Sequence, residues 1–231
     1  MKRLMTAFAL ASALTLMTSM GTLAATFTPI SSPDAAYLAA TNYIDPSAIP
    51  NYTYVSSISD GTQTVSFQLP DGSGSWSVVK LTAPGGGWAT WSHEPHSQRD
   101  ASGTLPVFSS NTATILRFQL ATPVNIFGFE AEPNPFELHT MVAKFYDASD
   151  NLLGTISRDV DGNAGARLFA AQSDVPIAYV VFSSDVDWAV GAFRYGYGTL
   201  GGYPVIPEPG TMLLMGIGGL AIGLGRRFGR K

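Results

Sequence analysis

The 231-residue sequence contains no cysteine and only three histidines, and charged residues make up 13% of it. Without cysteine there is no thiol nucleophile, no disulfide framework and no thiolate-ligated zinc or iron–sulfur site. With His93, His96 and His139 as the whole histidine complement, a hydrolytic triad or imidazole-rich metal centre has few residues to draw on. No Gly-x-Ser-x-Gly elbow, phosphate loop or dinucleotide fingerprint occurs. Positive charge is also scarce where a polyanion would need it. Six of the 13 basic residues (Lys2, Arg3, Arg226, Arg227, Arg230 and Lys231) lie at the chain ends, whereas 16 of the 17 acidic residues, all but Glu208, lie in the body between residues 26 and 204. Seven basic and sixteen acidic residues leave the body near −9. Such a surface repels nucleic acid, which binds through clustered Lys and Arg.

The ends of the chain are distinctive. Lys2 and Arg3 precede an apolar stretch from Leu4 to Met20, and small residues follow at Thr22-Leu23-Ala24-Ala25. A positive start, an apolar middle and a small-residue exit predict a secretory signal peptide over residues 1–25, passed to the secretion machinery and cleaved after Ala24 or Ala25. At the other end, Pro207-Glu208-Pro209 leads into an uncharged run from Met212 to Gly225, closed by Arg226, Arg227, Arg230 and Lys231. The prolines fix φ and withhold backbone donors, so the motif is expected to be extended and accessible. The run is short against the roughly 20 residues of an unstrained membrane span, which suits temporary retention better than permanent anchorage. The basic end is expected to stay cytoplasmic and set topology.

This order of motif, apolar run and basic terminus resembles the PEP-CTERM sorting tail of Gram-negative bacteria. The resemblance implies that Pro207, Glu208 and Pro209 are recognised by an exosortase, a membrane transpeptidase, while the precursor is held in the inner membrane. It further implies release or transfer to the cell surface, and a setting of exopolysaccharide production. A second resemblance, to a body domain frequent in such proteins, rests on Gly87-Trp88-Ala89-Thr90-Trp91-Ser92, Phe127-Gly128-Phe129-Glu130, Phe145-Tyr146-Asp147 with Leu153-Gly154-Thr155, and Phe193-Arg194-Tyr195-Gly196. It implies an extracellular β-sandwich without a defined activity.

The body, residues 26–204, is long enough for one domain with its own core. Short segments rich in Val, Ile, Phe, Tyr and Thr predict strands at 52–55, 64–67, 76–81, 115–118, 126–129, 141–146, 152–156, 167–169, 178–182 and 189–195. Asp60-Gly61 predicts a hairpin between the first two, Pro123 a turn between the fourth and fifth, and residues 148–151 another hairpin. A short helix is expected over 34–41, after Ser32-Pro33. The expectation is an all-β, two-sheet sandwich of jelly-roll type, flanked by the signal peptide and a C-terminal transmembrane sorting helix (205–231).

Three constellations invite a chemical reading. Trp88 and Trp91 follow a triple glycine and could stack on a sugar ring; the alternative is that both plug one end of the sandwich. His93, Glu94 and His96 offer a metal-like set, but Pro95 and the loop context favour an exposed turn. Asp159, Asp161 and Asn163 around Gly162 echo the start of a calcium loop, yet Ala170 stands where a closing Glu would be; an ordinary Asp-Gly turn is the alternative. Glu130 and Glu132 share one strand face, as carboxylates in an acidic β-rich chain often do. The sequence therefore points to an exported, non-enzymatic surface or matrix protein. Its body is expected to bind carbohydrate, with structural calcium as the one candidate cofactor; a purely structural matrix role and, behind it, a secreted hydrolase are the rivals.

Overall fold

The computed structural model describes residues 25–84, 87–91 and 104–200. Its elements run β1 (Phe27–Ile30), α1 (Ala35–Ala40), β2 (Asn42–Tyr43), β3 (Tyr54–Val55), β4 (Ser57–Ser59), β5 (Thr64–Gln68), β6 (Val78–Ala83), β7 (Leu105–Ser109), β8 (Ile115–Pro133), β9 (Leu138–Tyr146), β10 (Leu152–Asp161), β11 (Arg167–Ser183) and β12 (Trp188–Gly196). Helix α1 starts where expected because the Asp34 carboxylate accepts the Tyr37 N–H at 2.9 Å, capping one of the free donors of its first turn. It stops at Thr41, whose backbone turns extended and whose hydroxyl donates to the Tyr37 carbonyl.

All pairings are antiparallel and join the strands in the order β10-β9-β11-β8-β12-β7-β6-β3, with β1 on β11, β2 on β12, and β5 between β4 and β8. Two strands organise the molecule. β8 and β11 are 19 and 17 residues long and pair along most of their length, with register shifts between Gln172 and Tyr179. Pro123 and Pro176 sit at that interruption, where neither can donate to a ladder. Both strands fold over there. Phe118 and Phe129 are eleven residues apart on β8, which fully extended would separate them by roughly 36 Å. Their ring centroids are 4.9 Å apart. Phe169 and Phe182 on β11 likewise meet at 5.1 Å.

The fold-over makes two facing layers out of one hydrogen-bonded network. One layer holds β4, β5, the first part of β8, the last part of β11, β9 and β10; the other holds β1, the first part of β11, the last part of β8, β12, β7, β6 and β3. Between them Phe67, Phe118, Phe127, Phe129, Phe182, Trp188 and Phe193 form the main core. Many of their rings meet edge to face, an arrangement that aromatic quadrupoles favour.

The all-β expectation holds. Two details differ. Pro123 marks a bend inside one strand, not a turn between two, and the segments expected at 167–169 and 178–182 are likewise one strand. The Asp60-Gly61 hairpin is present, with Gly61 at φ 87° and Asp60 Oδ1 accepting from Thr62 N and Gln63 N at 2.8 Å each. Its first arm is Ser57–Ser59, however, while Tyr54-Val55 pairs with Val78-Val79. The signal peptide (all of 1–25 but its last residue) and the sorting segment 205–231 lie outside the described residues. Among the described residues no helix is long and apolar enough to cross a membrane.

Candidate functional site

The second layer is covered on its outer side in two places. Alternation along β8 places Phe127, Phe129 and Ala131 in the main core and turns Ile126, Gly128, Glu130 and Glu132 outward. Tyr37 of α1 covers Ile126 and packs with Ile30, Leu168 and Ala170. Its hydroxyl would lie 2.6 Å from a Cβ added at Gly128, so only glycine admits the helix so close. Arg194 ties the helix down, donating from Nε to Thr41 Oγ1 at 2.9 Å and from one terminal nitrogen to the carbonyls of Leu38 and Thr41. Burial pushes this guanidinium below its ordinary pKa, while nearby Tyr37, Tyr43 and Glu130 act in the opposite direction.

The second cover is the turn Trp88–Trp91, closed by Trp91 N donating to the Trp88 carbonyl at 3.2 Å. Trp91 is 1% exposed and packs with Ala83, Leu105, Val107, Ala166, Ala189 and Ala192. Its ring therefore fills the interior, which corrects the expectation that Trp91 offers a stacking face. The small alanines of β12 leave room for an indole, and burying so large an apolar ring outweighs leaving it wet. Trp88 is half-buried beside it, at φ 54°. Between the two, the Thr90 hydroxyl lies within hydrogen-bond distance of a Glu132 carboxylate oxygen and 2.6 Å from the Gly162 carbonyl. Its one proton serves one of these acceptors at a time.

Glu130 and Glu132 are each 1% exposed. They stand side by side on one face of one strand, Glu132 under this cover, and not opposite each other across an open cleft as glycoside hydrolysis needs. His93, Glu94 and His96 lie outside the described residues. The exposed aromatic rings of the edge are ones that the sequence did not single out. Tyr52 and Tyr54 are 70% and 63% exposed at the β3 edge.

Asp159, Asp161 and Asn163 hold a turn together. Asp159 Oδ1 accepts the Thr140 hydroxyl at 2.7 Å across the β9–β10 ladder. Asp161 Oδ1 accepts Asn163 N at 2.8 Å, and this bond with that from the Asn163 side chain lowers the Asp161 pKa. Asn163 Nδ2 donates to the Phe136 carbonyl at 2.5 Å. Asp161 Oδ1 thus serves the turn and Asp159 Oδ1 the ladder, and among the described residues no group of three or more His, Asp or Glu side chains is placed to hold a metal ion.

An open groove of about 320 Å³ lies on the face of β6 and β7 opposite Trp91, lined by Tyr43, Asp45, Ser47, Lys80, Thr82, Thr104 and Pro106. β6 sends Lys80 and Thr82 to the same side, and the chain before β3 brings Asn51 over them. Lys80 Nζ donates to Asn51 Oδ1 at 2.6 Å, and the Thr82 hydroxyl donates to the same oxygen at 2.9 Å. Lys80 is 6% exposed, and this desolvation holds its pKa below the usual lysine value. Asp45 turns its carboxylate onto the Ser47 N–H and hydroxyl, at 2.9 and 3.0 Å. Nothing in the sequence pattern flagged this groove. Its members come from β2, β6, β7 and intervening loops and meet only on folding.

No curated protein matches the chain in sequence. Among solved structures, similarity extends to the enzymatically active domain of bacteriophage CBA120 tailspike protein 4, at 16% identity and a TM-score of 0.30 over 59% of this chain and 19% of that one. It extends also to TmCBM61 in complex with beta-1,4-galactotriose (14% identity, TM-score 0.33, 60% of this chain and 90% of that one). A family 6 carbohydrate-binding module is similar at 10% identity and a TM-score of 0.26, over 69% of this chain and 95% of that one. The chain thus spans about a fifth of the tailspike domain's length, and at these scores the likenesses carry no functional argument. The terminal segment is a different matter, since residues 205–231 match the family model of the PEP-CTERM protein-sorting motif. The expectation drawn from Pro207-Glu208-Pro209 and the basic end is met, and the chain carries a PEP-CTERM sorting signal.

Proposed function

We propose that this is an exported surface or exopolysaccharide-matrix protein, processed at its tail by an exosortase and acting without catalysis. The observation that carries the reading is the sorting motif over residues 205–231. In this reading the signal peptide (1–25) hands the chain to the secretion machinery. The apolar run pauses it in the inner membrane, with Arg226, Arg227, Arg230 and Lys231 on the cytoplasmic side. The exosortase acts near Pro207-Glu208-Pro209. What then leaves is the body, a jelly-roll-like sandwich.

Carbohydrate binding is the role we assign to that body. The groove at Lys80 combines a tyrosine with an amide, hydroxyls, a carboxylate and an ammonium, the mixture that orients a polyhydroxylated ligand. The absence of catalysis is part of the proposal, supported by the burial of Glu130 and Glu132 on one strand, Glu132 against Thr90 of the Trp88–Trp91 turn. Intact mass of the protein from membrane and extracellular fractions of the native host tests the sorting step. A released species ending near Pro207 is expected. A membrane-bound species still carrying Arg226 to Lys231 would make the tail a permanent anchor and overturn the processing step.

A further inference from the structure

The groove around Lys80 holds an ammonium that, among the described residues, no carboxylate pairs directly. Lys80 is one of two lysines in the body, and its side chain is drawn into the fold with 6% exposure. A buried ammonium ordinarily finds a carboxylate, because desolvation otherwise penalises the charge. Among the described residues Lys80 has none. Its contacts are the neutral oxygens of Asn51, at 2.6 Å, and of Thr82, at a marginal 3.5 Å. The nearer oxygen is already shared, because Thr82 donates to it as well. An ammonium has three N–H donors, so at least one remains for the groove that Lys80 lines. Asp45, the carboxylate of the same groove, is turned toward Ser47 and does not pair with it.

We propose that the Lys80 groove recognises the carboxylate of an acidic sugar, a uronic acid unit of a polysaccharide. This rests on the carbohydrate-binding reading of the body and narrows it. The ammonium supplies a charge-assisted hydrogen bond to the sugar carboxylate, the strongest contact available to it. Asp45, Ser47, Thr82 and Thr104 meet the ring hydroxyls beside that carboxylate, and the Tyr43 ring offers an apolar face. A neutral sugar leaves the ammonium without a counter-charge, and a bare small anion leaves the hydroxyl-binding groups unused. The body's charge near −9 opposes an anionic polymer at long range. That repulsion is screened beyond about 8 Å at physiological salt, whereas a contact inside the groove is screened far less.

The test is calorimetric titration of the full body with trigalacturonate and trimannuronate and with their methyl esters, which keep the sugar and remove the charge. We expect at least one free acid to bind tenfold or more tightly than its ester. Lys80→Met should erase that difference while leaving ester binding in place, and Lys80→Arg should restore part of it. Far-ultraviolet circular dichroism confirms that each variant is folded. Should Lys80→Met fail to fold, the acid-to-ester ratio of the unmutated body still decides the matter. Equal binding of acid and ester overturns the acidic specificity but leaves sugar binding standing. Absence of binding to all four overturns both. Competition by excess acetate would show that any small carboxylate suffices, which defeats the sugar-borne assignment.

Discussion

Over residues 126–132 the two faces of β8 bury their residues equally well and by opposite chemistry. The inner face presents Phe127, Phe129 and Ala131 to an aromatic core. The outer face presents Ile126, Gly128, Glu130 and Glu132 to α1 and to the Trp88–Trp91 turn. Burial of apolar area is non-directional, and on the inner face it is enough that the rings fill the space between layers. The outer face cannot work that way. Two carboxylates and the Arg194 guanidinium on neighbouring β12 are removed from water there, and each needs a particular partner at a particular distance. The inner face thus supplies stability, and the outer face fixes what may be laid over the sheet.

The largest test of this contrast is Phe129→Ala. Phe129 touches Phe118, Phe169, Phe182 and Phe193, so its loss opens a cavity at the centre of both layers. A loss of about 3–5 kcal/mol is expected from urea unfolding. A loss under about 1 kcal/mol would mean that the layers do not meet at this ring. On the outer face, Gly128→Ala asks for the opposite fault. The added Cβ would lie 2.3 Å from Ala170 Cβ and 2.6 Å from the Tyr37 hydroxyl. Ala170 is fixed to the paired strand and cannot swing away, so the cost should be that of overpacking, about 1–3 kcal/mol. Protection of the α1 amides from hydrogen exchange should fall with it. Thr90→Val keeps volume and removes only the hydroxyl between Glu132 and Gly162. Leaving buried acceptors short of a donor should cost about 1–3 kcal/mol. An unchanged midpoint would show that the hydroxyl is dispensable to the cover.

The inner face was legible in the sequence and the outer one largely was not. Alternation in Phe127-Gly128-Phe129-Glu130 announces a strand, and the apolar member of each pair is rightly assigned to a core. The same alternation says nothing of what covers Gly128 and Glu132, because α1 and the Trp88–Trp91 turn reach them from 91 and about 40 residues away in sequence. Pro123 misled for a related reason. Locally it reads as a turn, yet β8 continues through it because Pro176 sits beside it on β11 and both strands bend together. Trp91 could be read either way, and its placement depended on Ala189 and Ala192, a hundred residues later. The Lys80 groove lay beyond reach altogether, for no spacing rule links Tyr43, Lys80 and Thr104. The sorting tail was the easiest part, since its meaning is carried by contiguous residues.

The finest test of the contrast uses one tyrosine from the inner core and one from outside it. Tyr195 belongs to the main core and donates its hydroxyl to Asp60 Oδ2 at 2.8 Å, tying β12 to the β4–β5 hairpin. Tyr179 lies outside the main core, stacked on Tyr146 with the Arg117 guanidinium 3.5 Å over its ring, and donates to Asp150 Oδ1 at 2.8 Å. Burial first, and then the hydrogen bond to a carboxylate, pushes each phenol up to about 12. Both folded values exceed the ordinary value near 10, so each contribution is complete below about pH 10 and is lost as pH rises toward 12. Tyr195→Phe and Tyr179→Phe should each cost about 0.5–1.5 kcal/mol at neutral pH, and the double variant should lose less stability between pH 10 and 12 than the parent does. If Tyr195→Phe alone flattens that alkaline decline, the coupling runs through the inner core; if the parent shows no decline, neither hydroxyl is held as a donor. Spectrophotometric titration of phenolate absorbance assigns the effect, because each substitution removes one late-titrating tyrosine from the curve.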